Sequence, residues 1–476
     1  MKEGFKKALD VWNKFSASDY FIFAVSALIL IGWASGLWAY FLCVVAFFCI
    51  LPLFTGSSNK SLITFLMQFT FIISHQRHNL NAYWWLLFLI VPLVGGVVFQ
   101  TLRYRKDFAW RLLKPKNFKG QNFFLLLFSV PFLLGGITIR HTKPIVVLLA
   151  FCLILLIGLV YTYFLISNYD RQDKKAFPTY MLKNLLAIGL IVSLQMIIFY
   201  AKIGSADGII QTIKLKTHEL GWGGPNNIGL IFAFVIPATF YYCVKSKWNP
   251  LFVVFGAIEF VLLVSTGSRG ATFVVLFALP VLILYVMAVT PYKKSFGITL
   301  CLTFFVGAFL LILKADTIVN MLADRLSLGF SGNGRLEFEY PAAWEAFKTY
   351  PIFGGGWDYM MGTIIKDGYT PLWFHSSVLQ VMAMMGLFGL IIFGIWCFHR
   401  YRNFYLLRQD KRVVFLALST VLFGAYGLID TGFFSPTFFI MMLALELSVE
   451  LNLPEDQGRA FPKKWFKEKI FVPDDE

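Results

Sequence analysis

Residues 145–166 read IVVLLAFCLILLIGLVYTYFLI, a run without a single charged side chain. A helix needs about 20 predominantly apolar residues to cross the hydrocarbon core of a bilayer, so this run predicts one membrane span. Similar runs recur from end to end of the 476-residue chain. The sequence therefore predicts an all-α, polytopic membrane protein with about 14 transmembrane helices, within a range of 12 to 14.

Composition supports the same class. The chain is 58% hydrophobic and only 14% charged, which leaves too little polar surface for a soluble domain. Its formal charge of +16 would suggest a nucleic-acid partner in a soluble protein. Here the basic residues cluster after even-numbered spans, at 2–14, 103–119, 171–183, 245–247, 293–294, 400–412 and 463–469. The positive-inside rule then places both termini in the cytoplasm, and we expect no nucleic acid.

This topology divides the chain into five parts. Residues 1–19 form a cytoplasmic interfacial segment, in which Phe5, Leu9 and Trp12 recur at helical spacing among lysines. Residues 20–313 hold transmembrane helices 1 to 11, 314–374 form one large extracytoplasmic loop, 375–452 hold helices 12 to 14, and 453–476 are a cytoplasmic tail. The loop lacks the basic bias of the other connections, as expected outside, and it includes a predicted helix from Pro341 to Tyr350.

Polar groups persist at the outer membrane edge in three places. Arg269 lies in a tight turn between two glycines, Arg335 follows Gly332, Asn333 and Gly334 in the loop, and His375 stands where the chain re-enters the bilayer. An arginine at such a turn is also typical of an interfacial anchor. Position alone does not select His375, because the topology places four other histidines outside: His75, His78, His141 and His218.

Taken in order, these segments resemble the signature region of the O-antigen ligase and polymerase superfamily. The segments are STGSRGA at 265–271, GRLEFEYPAAWEAFKTYPIFGGG at 334–356 and HSSVLQVMAMMGLFG at 375–389, with GWGGPNNIGL at 221–230 as an upstream extension. Two positions depart from the family pattern: Ser376 follows the histidine where asparagine is frequent, and Met385 stands where an acidic residue is common.

The resemblance implies a type C glycosyltransferase in the bacterial cytoplasmic (inner) membrane, with an extracytoplasmic active site. Its donor would be an undecaprenyl-diphosphate-linked glycan, and its acceptor a glycan, a lipid or a protein. The family's functional positions carry over to Arg269, Arg335 and His375. Two guanidinium groups at a diphosphate would replace a metal ion, so we expect no metal and no other cofactor. A histidine serves the acceptor hydroxyl, and direct displacement would invert the anomeric centre.

Several alternatives stay open at this level. Asp316, Asp324, Glu337 and Glu339 supply oxygen atoms for a metal-dependent reaction. Glu259 and Glu446 lie inside apolar runs, where an ionisable group is a functional candidate by default. A lipid-linked-oligosaccharide flippase or another transporter would also be polytopic, and a receptor or structural membrane protein is a third class. Ligase and polymerase are not separated by the sequence.

Overall fold

The computed structural model describes residues 2–74, 85–135, 144–313, 335–357, 373–462 and 465. Within these residues the chain is helical, and its regular elements include no β-strand. The helices are α1 (Lys2–Ser16), α2 (Asp19–Ser35), α3 (Trp38–Thr55), α4 (Lys60–Gln68), α5 (Ile90–Arg103), α6 (Gly120–Leu127), α7 (Ser129–Leu134), α8 (Pro144–Asn168), α9 (Phe177–Ile203), α10 (Ala206–Leu215), α11 (Pro225–Lys245), α12 (Asn249–Ser265), α13 (Arg269–Val289), α14 (Lys293–Leu313), α15 (Tyr340–Thr349), α16 (Ser377–Leu406), α17 (Lys411–Gly427) and α18 (Pro436–Glu450).

The predicted class, an all-α membrane protein, is confirmed. Among the described residues, seven helices are long and apolar enough to cross a membrane, or up to eight when the bent pair of α1 and α2 counts as one span. The predicted number of 12 to 14 spans is not confirmed. Two of the predicted spans are shorter or broken: the run that begins at Lys60 ends at Ile72, and the run from Gly120 is divided into α6 and α7. The five-part division and the membrane side of each part stay predictions.

The N-terminal segment forms the predicted amphipathic helix. Helix α1 meets α2 at an angle of 83°. Asn13 ties α1 to the end of α3, because its side-chain nitrogen donates to the carbonyl oxygen of Thr55 at 3.1 Å. Trp12 packs edge-on against Phe21 of α2. A helix fixed across the end of a bundle with Phe5 exposed suits a position in the membrane interface.

Helix α11 is the centre of the bundle. Of the 18 most apolar consecutive residues of α11, 89% are buried inside the protein, whereas the corresponding share for α13 is 17%. It packs against α9, α12, α13 and α17. Proline at its first turn suits a helix start, because the missing N–H would have no partner there in any case. Since α11 begins at residue 225, it brings the GWGGPNNIGL segment to the end of the bundle where α13 and α16 also begin.

The start of α16 is interrupted by a glycine. Gly386 has φ +64° and ψ −161°, a conformation outside the helical region. The backbone groups released by this break bond to residues 351–356: the Leu387 nitrogen donates to the Pro351 carbonyl at 2.8 Å, and the Gly355 nitrogen donates to the Ala383 carbonyl at 2.8 Å. Irregular backbone at membrane depth is tolerated only when such groups are satisfied within the protein. The break therefore clamps the loop segment that follows α15 against α16.

We expect Gly386→Ala to destabilise the protein. A Cβ atom at this position would lie 2.5 Å from the Ile352 carbonyl carbon, and the positive φ disfavours any residue with a side chain. The loss should be about 1–3 kcal/mol, measured as a lowered midpoint of thermal unfolding in detergent. Gly394→Ala in the same helix is the matched control, because its Cβ would meet nothing within 4 Å. Equal midpoints for the two variants would contradict the clamp.

Candidate active site

His375 precedes α16 in a strained backbone conformation. Its φ is +47°, which is uncommon for a residue other than glycine and is typical of functional sites. The next residue begins the helix: Ser376 is the N-cap, and its hydroxyl accepts from the Leu379 backbone nitrogen at 3.4 Å. Asparagine caps helices as well as serine does. The departure from the family pattern at Ser376 therefore preserves the capping role that fixes the histidine's position.

Arg335 lies beside His375, as the sequence predicts. It begins a five-residue π-helical turn, Arg335–Glu339, that leads into α15. Its Nη1 atom donates to the Ile429 carbonyl at 2.7 Å, and its Nη2 atom lies 3.2 Å from Nδ1 of His375. Single π-helical turns are frequent at functional sites. Two of the three predicted site residues, 40 positions apart in the chain, are thus in contact.

Asp430 completes the cluster, and sequence analysis did not single it out. It lies in the turn between α17 and α18, where its Oδ1 atom is 3.2 Å from Nδ1 of His375 and its Oδ2 atom is 3.7 Å from Nη2 of Arg335. Nδ1 either donates to Asp430 or accepts from Arg335, and the negative carboxylate favours a proton on Nδ1. Nε2 then carries the lone pair.

The Asp430 carboxyl is held in its ionised form. Burial opposes ionisation, but the hydrogen bond and charge interaction with His375, the Thr431 backbone N–H and the positive charge of Arg335 together lower the pKa of the Asp430 carboxyl below its usual range. The Thr431 nitrogen donates to Oδ1 at 2.7 Å. Asp430 is therefore a carboxylate at neutral pH, able to orient the histidine ring.

Two further side chains support Asp430. The Tyr426 hydroxyl donates to Oδ2 at 3.0 Å, and the Asn226 side-chain nitrogen donates to the same oxygen at 3.2 Å. Asn226 belongs to the GWGGPNNIGL segment, so the structure brings this upstream extension into the cluster. The carboxylate thus joins the start of α11 to the loop before α18.

The turn that holds Arg269 packs against Ile429, the residue before Asp430. Arg269 is the first residue of α13, and a Cβ on the adjacent Gly270 would lie 2.7 Å from the Ile429 side chain. Ile429 is also the residue whose carbonyl accepts from Arg335. On the other side of the turn, Ser265 accepts from the Tyr200 hydroxyl at 2.8 Å, and this hydroxyl lies 2.7 Å from Nε2 of His218. Among the predicted outer histidines, His218 therefore supports the turn, while His75, His78 and His141 lie outside the described residues.

A small apolar cavity lies within the bundle. Aromatic and aliphatic side chains line it, among them Phe128, Phe132, Leu153, Ile157, Trp357 and Phe434. Phe434 is four residues after Asp430, and Trp357 packs against Trp373, two residues before His375. Leu153 of α8 is exposed on the surface of the bundle. The cavity lining therefore connects the exposed face of α8 with residues that lie close in the chain to Asp430 and that pack against a neighbour of His375.

The remaining predicted acids separate into three groups. Glu446 pairs with Arg400 and accepts from Gln121 inside the bundle, while Glu259 of α12 is buried against Gly189 of α9. Asp316 and Asp324 lie outside the described residues. Glu337 is exposed, whereas Glu339 is 1% exposed and lies beside His375. Within the described part of the chain, no group of three or more metal-binding side chains is arranged to hold an ion.

Sequence reasoning overlooked Asp430, Tyr426 and the role of Asn226. The available signal was an acid in an otherwise apolar connection, GLIDTGFF at 427–434. An acid inside an apolar span, such as Glu259 or Glu446, is a functional candidate by default, but Asp430 stands between two spans.

Comparison with known families agrees with this geometry. Residues 251–394 match the family model described as O-antigen ligase. The matched segment includes Arg269, Arg335 and His375 but ends before Asp430. The comparison with curated proteins gives no match. The family match confirms the resemblance seen in the three motifs and supports the assignment of the chain to the O-antigen ligase and polymerase family.

Proposed function

We propose that the protein transfers or polymerises a polyprenyl-diphosphate-linked glycan onto an acceptor hydroxyl, as an O-antigen ligase or a surface-polysaccharide polymerase. The observation that carries this proposal is the contact of Arg335 with His375, whose ring Asp430 orients. A group that binds phosphate and a group that accepts a proton are what glycosyl transfer from a diphosphate requires. The undecaprenyl diphosphate donor follows from the family resemblance.

The reaction requires a proton acceptor at one face of the sugar and stabilisation of the leaving diphosphate at the opposite face. The acceptor oxygen attacks the anomeric carbon, its proton passes to Nε2 of His375, and the bond from the anomeric carbon to the phosphate oxygen breaks. The electron pair leaves with the diphosphate, whose growing negative charge Arg335 and Arg269 stabilise. Direct displacement inverts the anomeric centre. Neither a metal ion nor another cofactor enters these steps.

The apolar cavity supports a lipid-linked donor. A diphosphate at the cluster would leave its prenyl chain to run into the bilayer, and the cavity lining includes both Leu153 on the exposed surface of α8 and Phe434, four residues after Asp430. Burial of aliphatic groups contributes about 0.8 kcal/mol per CH₂ group. The cavity thus offers binding energy for the part of the donor that does not react.

Arg335→Lys and His375→Ala should impair transfer in different ways. Lysine keeps the charge but loses the planar fork, so donor binding and transfer should both fall. His375→Ala should lower turnover on the order of a hundred- to ten-thousandfold while donor binding persists. Donor binding and glycan transfer are measured side by side, with Arg105→Lys at an exposed position and His141→Ala as controls. Normal transfer by both site variants, with lipid-linked glycan still crossing the membrane, would favour the flippase alternative.

Ala150→Phe should narrow the apolar cavity, which Ala150 lines. We expect a higher KM for a long-chain polyprenyl donor and little change for a short-chain prenyl donor with the same glycan, because only the long chain fills the cavity. Ala34→Phe, at an exposed position of α2, is the matched control. An equal effect of Ala150→Phe on both donors would show that the prenyl chain does not bind in this cavity.

The side of the membrane is tested by labelling of single cysteines in a variant without the six native ones. Glu337→Cys, next to the site and exposed, should react with an impermeant thiol reagent in intact spheroplasts. Lys175→Cys, exposed in the basic segment before α9, should react only after permeabilisation. The reverse pattern would place the site in the cytoplasm.

A further inference from the structure

A second carboxyl group faces the opposite edge of the His375 ring. Glu339 ends the π-helical turn that begins with Arg335, and its Oε1 atom lies 3.9 Å from Nε2 of His375. The side chain of Glu339 is buried, whereas that of His375 is 30% exposed. Four residues apart on one turn, Arg335 and Glu339 thus reach the two different nitrogen atoms of the same ring.

The two ring nitrogen atoms of His375 lie at different distances from their neighbouring carboxyl groups. Asp430 lies within hydrogen-bonding distance of Nδ1, at 3.2 Å. The 3.9 Å between Nε2 and Glu339 exceeds the usual range for a hydrogen bond. Nε2 therefore keeps its lone pair available on the partly exposed ring, with a carboxyl group close enough to act through its charge.

Charged side chains surround the His375 ring. The described side chains that face His375 are Arg335, Glu339 and Tyr340 from the π-helical turn and the start of α15, and Asp430 with Tyr426 from the segment after α17. When Glu339 and Asp430 are both carboxylates and the imidazole is neutral, their two negative charges outnumber the single positive charge of Arg335. A proton on the ring brings these four side chains to electrical neutrality, so the proton is stabilised where the reaction delivers it.

We propose that Glu339 is a positioning residue of the transfer site, which stabilises the imidazolium that forms when Nε2 of His375 takes the proton of the acceptor hydroxyl. The role in transfer rests on the proposed function. The proton moves from the acceptor oxygen to Nε2, the new bond forms between that oxygen and the anomeric carbon, and the leaving electron pair departs with the diphosphate. Glu339 itself exchanges no proton in this step.

The first measurement does not depend on catalysis. The imidazole signals of the full-length protein, labelled at histidine and held in nanodiscs, are followed by NMR across pH, and the His375 signal is identified by its loss in His375→Gln. In Glu339→Gln the midpoint of the His375 titration should move to lower pH by about 1, because a negative charge near the ring has been removed. Glu337→Gln is the matched control, since Glu337 lies on the same turn but is exposed. It should leave the midpoint in place.

The second measurement concerns transfer. Glu339→Gln should lower kcat about tenfold or more with donor binding preserved, and the acid limb of the pH profile should move in the same direction as the NMR midpoint. Glu339→Asp keeps the charge and should restore part of the rate. An unmoved midpoint in Glu339→Gln would overturn the proposal, even if the rate fell, because the role would then be structural. If the midpoint moves in Glu339→Gln but the wild-type protein transfers no glycan, the contact of Glu339 with His375 is retained and the proposed function is rejected instead.

Discussion

The candidate site depends on a single carboxylate, that of Asp430. It orients His375, lies close to Arg335 and accepts from Asn226 and Tyr426, so four separate segments of the chain converge on two oxygen atoms. Its side chain is only 13% exposed. A buried carboxylate is stable only when donors and positive charge surround it, and the same donors lose their partner if it is removed. The arrangement of the ends of α11, α16 and α17 is therefore coupled to the ionisation of one acid.

Around this carboxylate the backbone departs from regular helix in three places. Arg335–Glu339 is a π-helical turn, His375 has a positive φ, and Gly386 interrupts α16. Each departure has a local physical support: Tyr340 donates to the His375 carbonyl at 3.4 Å, Ser376 caps the helix, and residues 351–356 bond to the break. Regular helices present side chains at fixed intervals, so irregular backbone is what brings Arg335, Glu339 and His375 to one point.

Basic residues serve two different ends in this protein. Arg111 makes a bidentate contact with Asp170 and a further hydrogen bond to Glu455, which together raise the pKa of its guanidinium and lower the pKa of the Asp170 carboxyl. Its donors are directed to protein acids, and it joins the end of α8 to the segment after α18. Arg335 instead donates to a backbone carbonyl, and its Nη2 atom lies 3.2 Å from Nδ1 of a partly exposed histidine and 3.7 Å from the Asp430 carboxylate. Residue type and charge are the same, and only the tertiary surroundings distinguish an arginine that is paired with protein acids from the arginine of the candidate site.

By itself the sequence determined the all-α membrane class, the helix after Pro341 and the resemblance to O-antigen ligases that the family match over residues 251–394 supports, because apolar length, helix signals and motif order are local properties of the chain. It also selected Arg335 and His375, which the structure brings into contact. Only the tertiary structure decided that Asp430, Tyr426 and Asn226 join them, that Glu446 pairs with Arg400, and that Glu339 faces the histidine. These contacts connect residues separated by up to about two hundred positions, and no local pattern encodes which helix ends meet. Their partners are chosen by the packing of α11, α16 and α17, which is a property of the whole bundle.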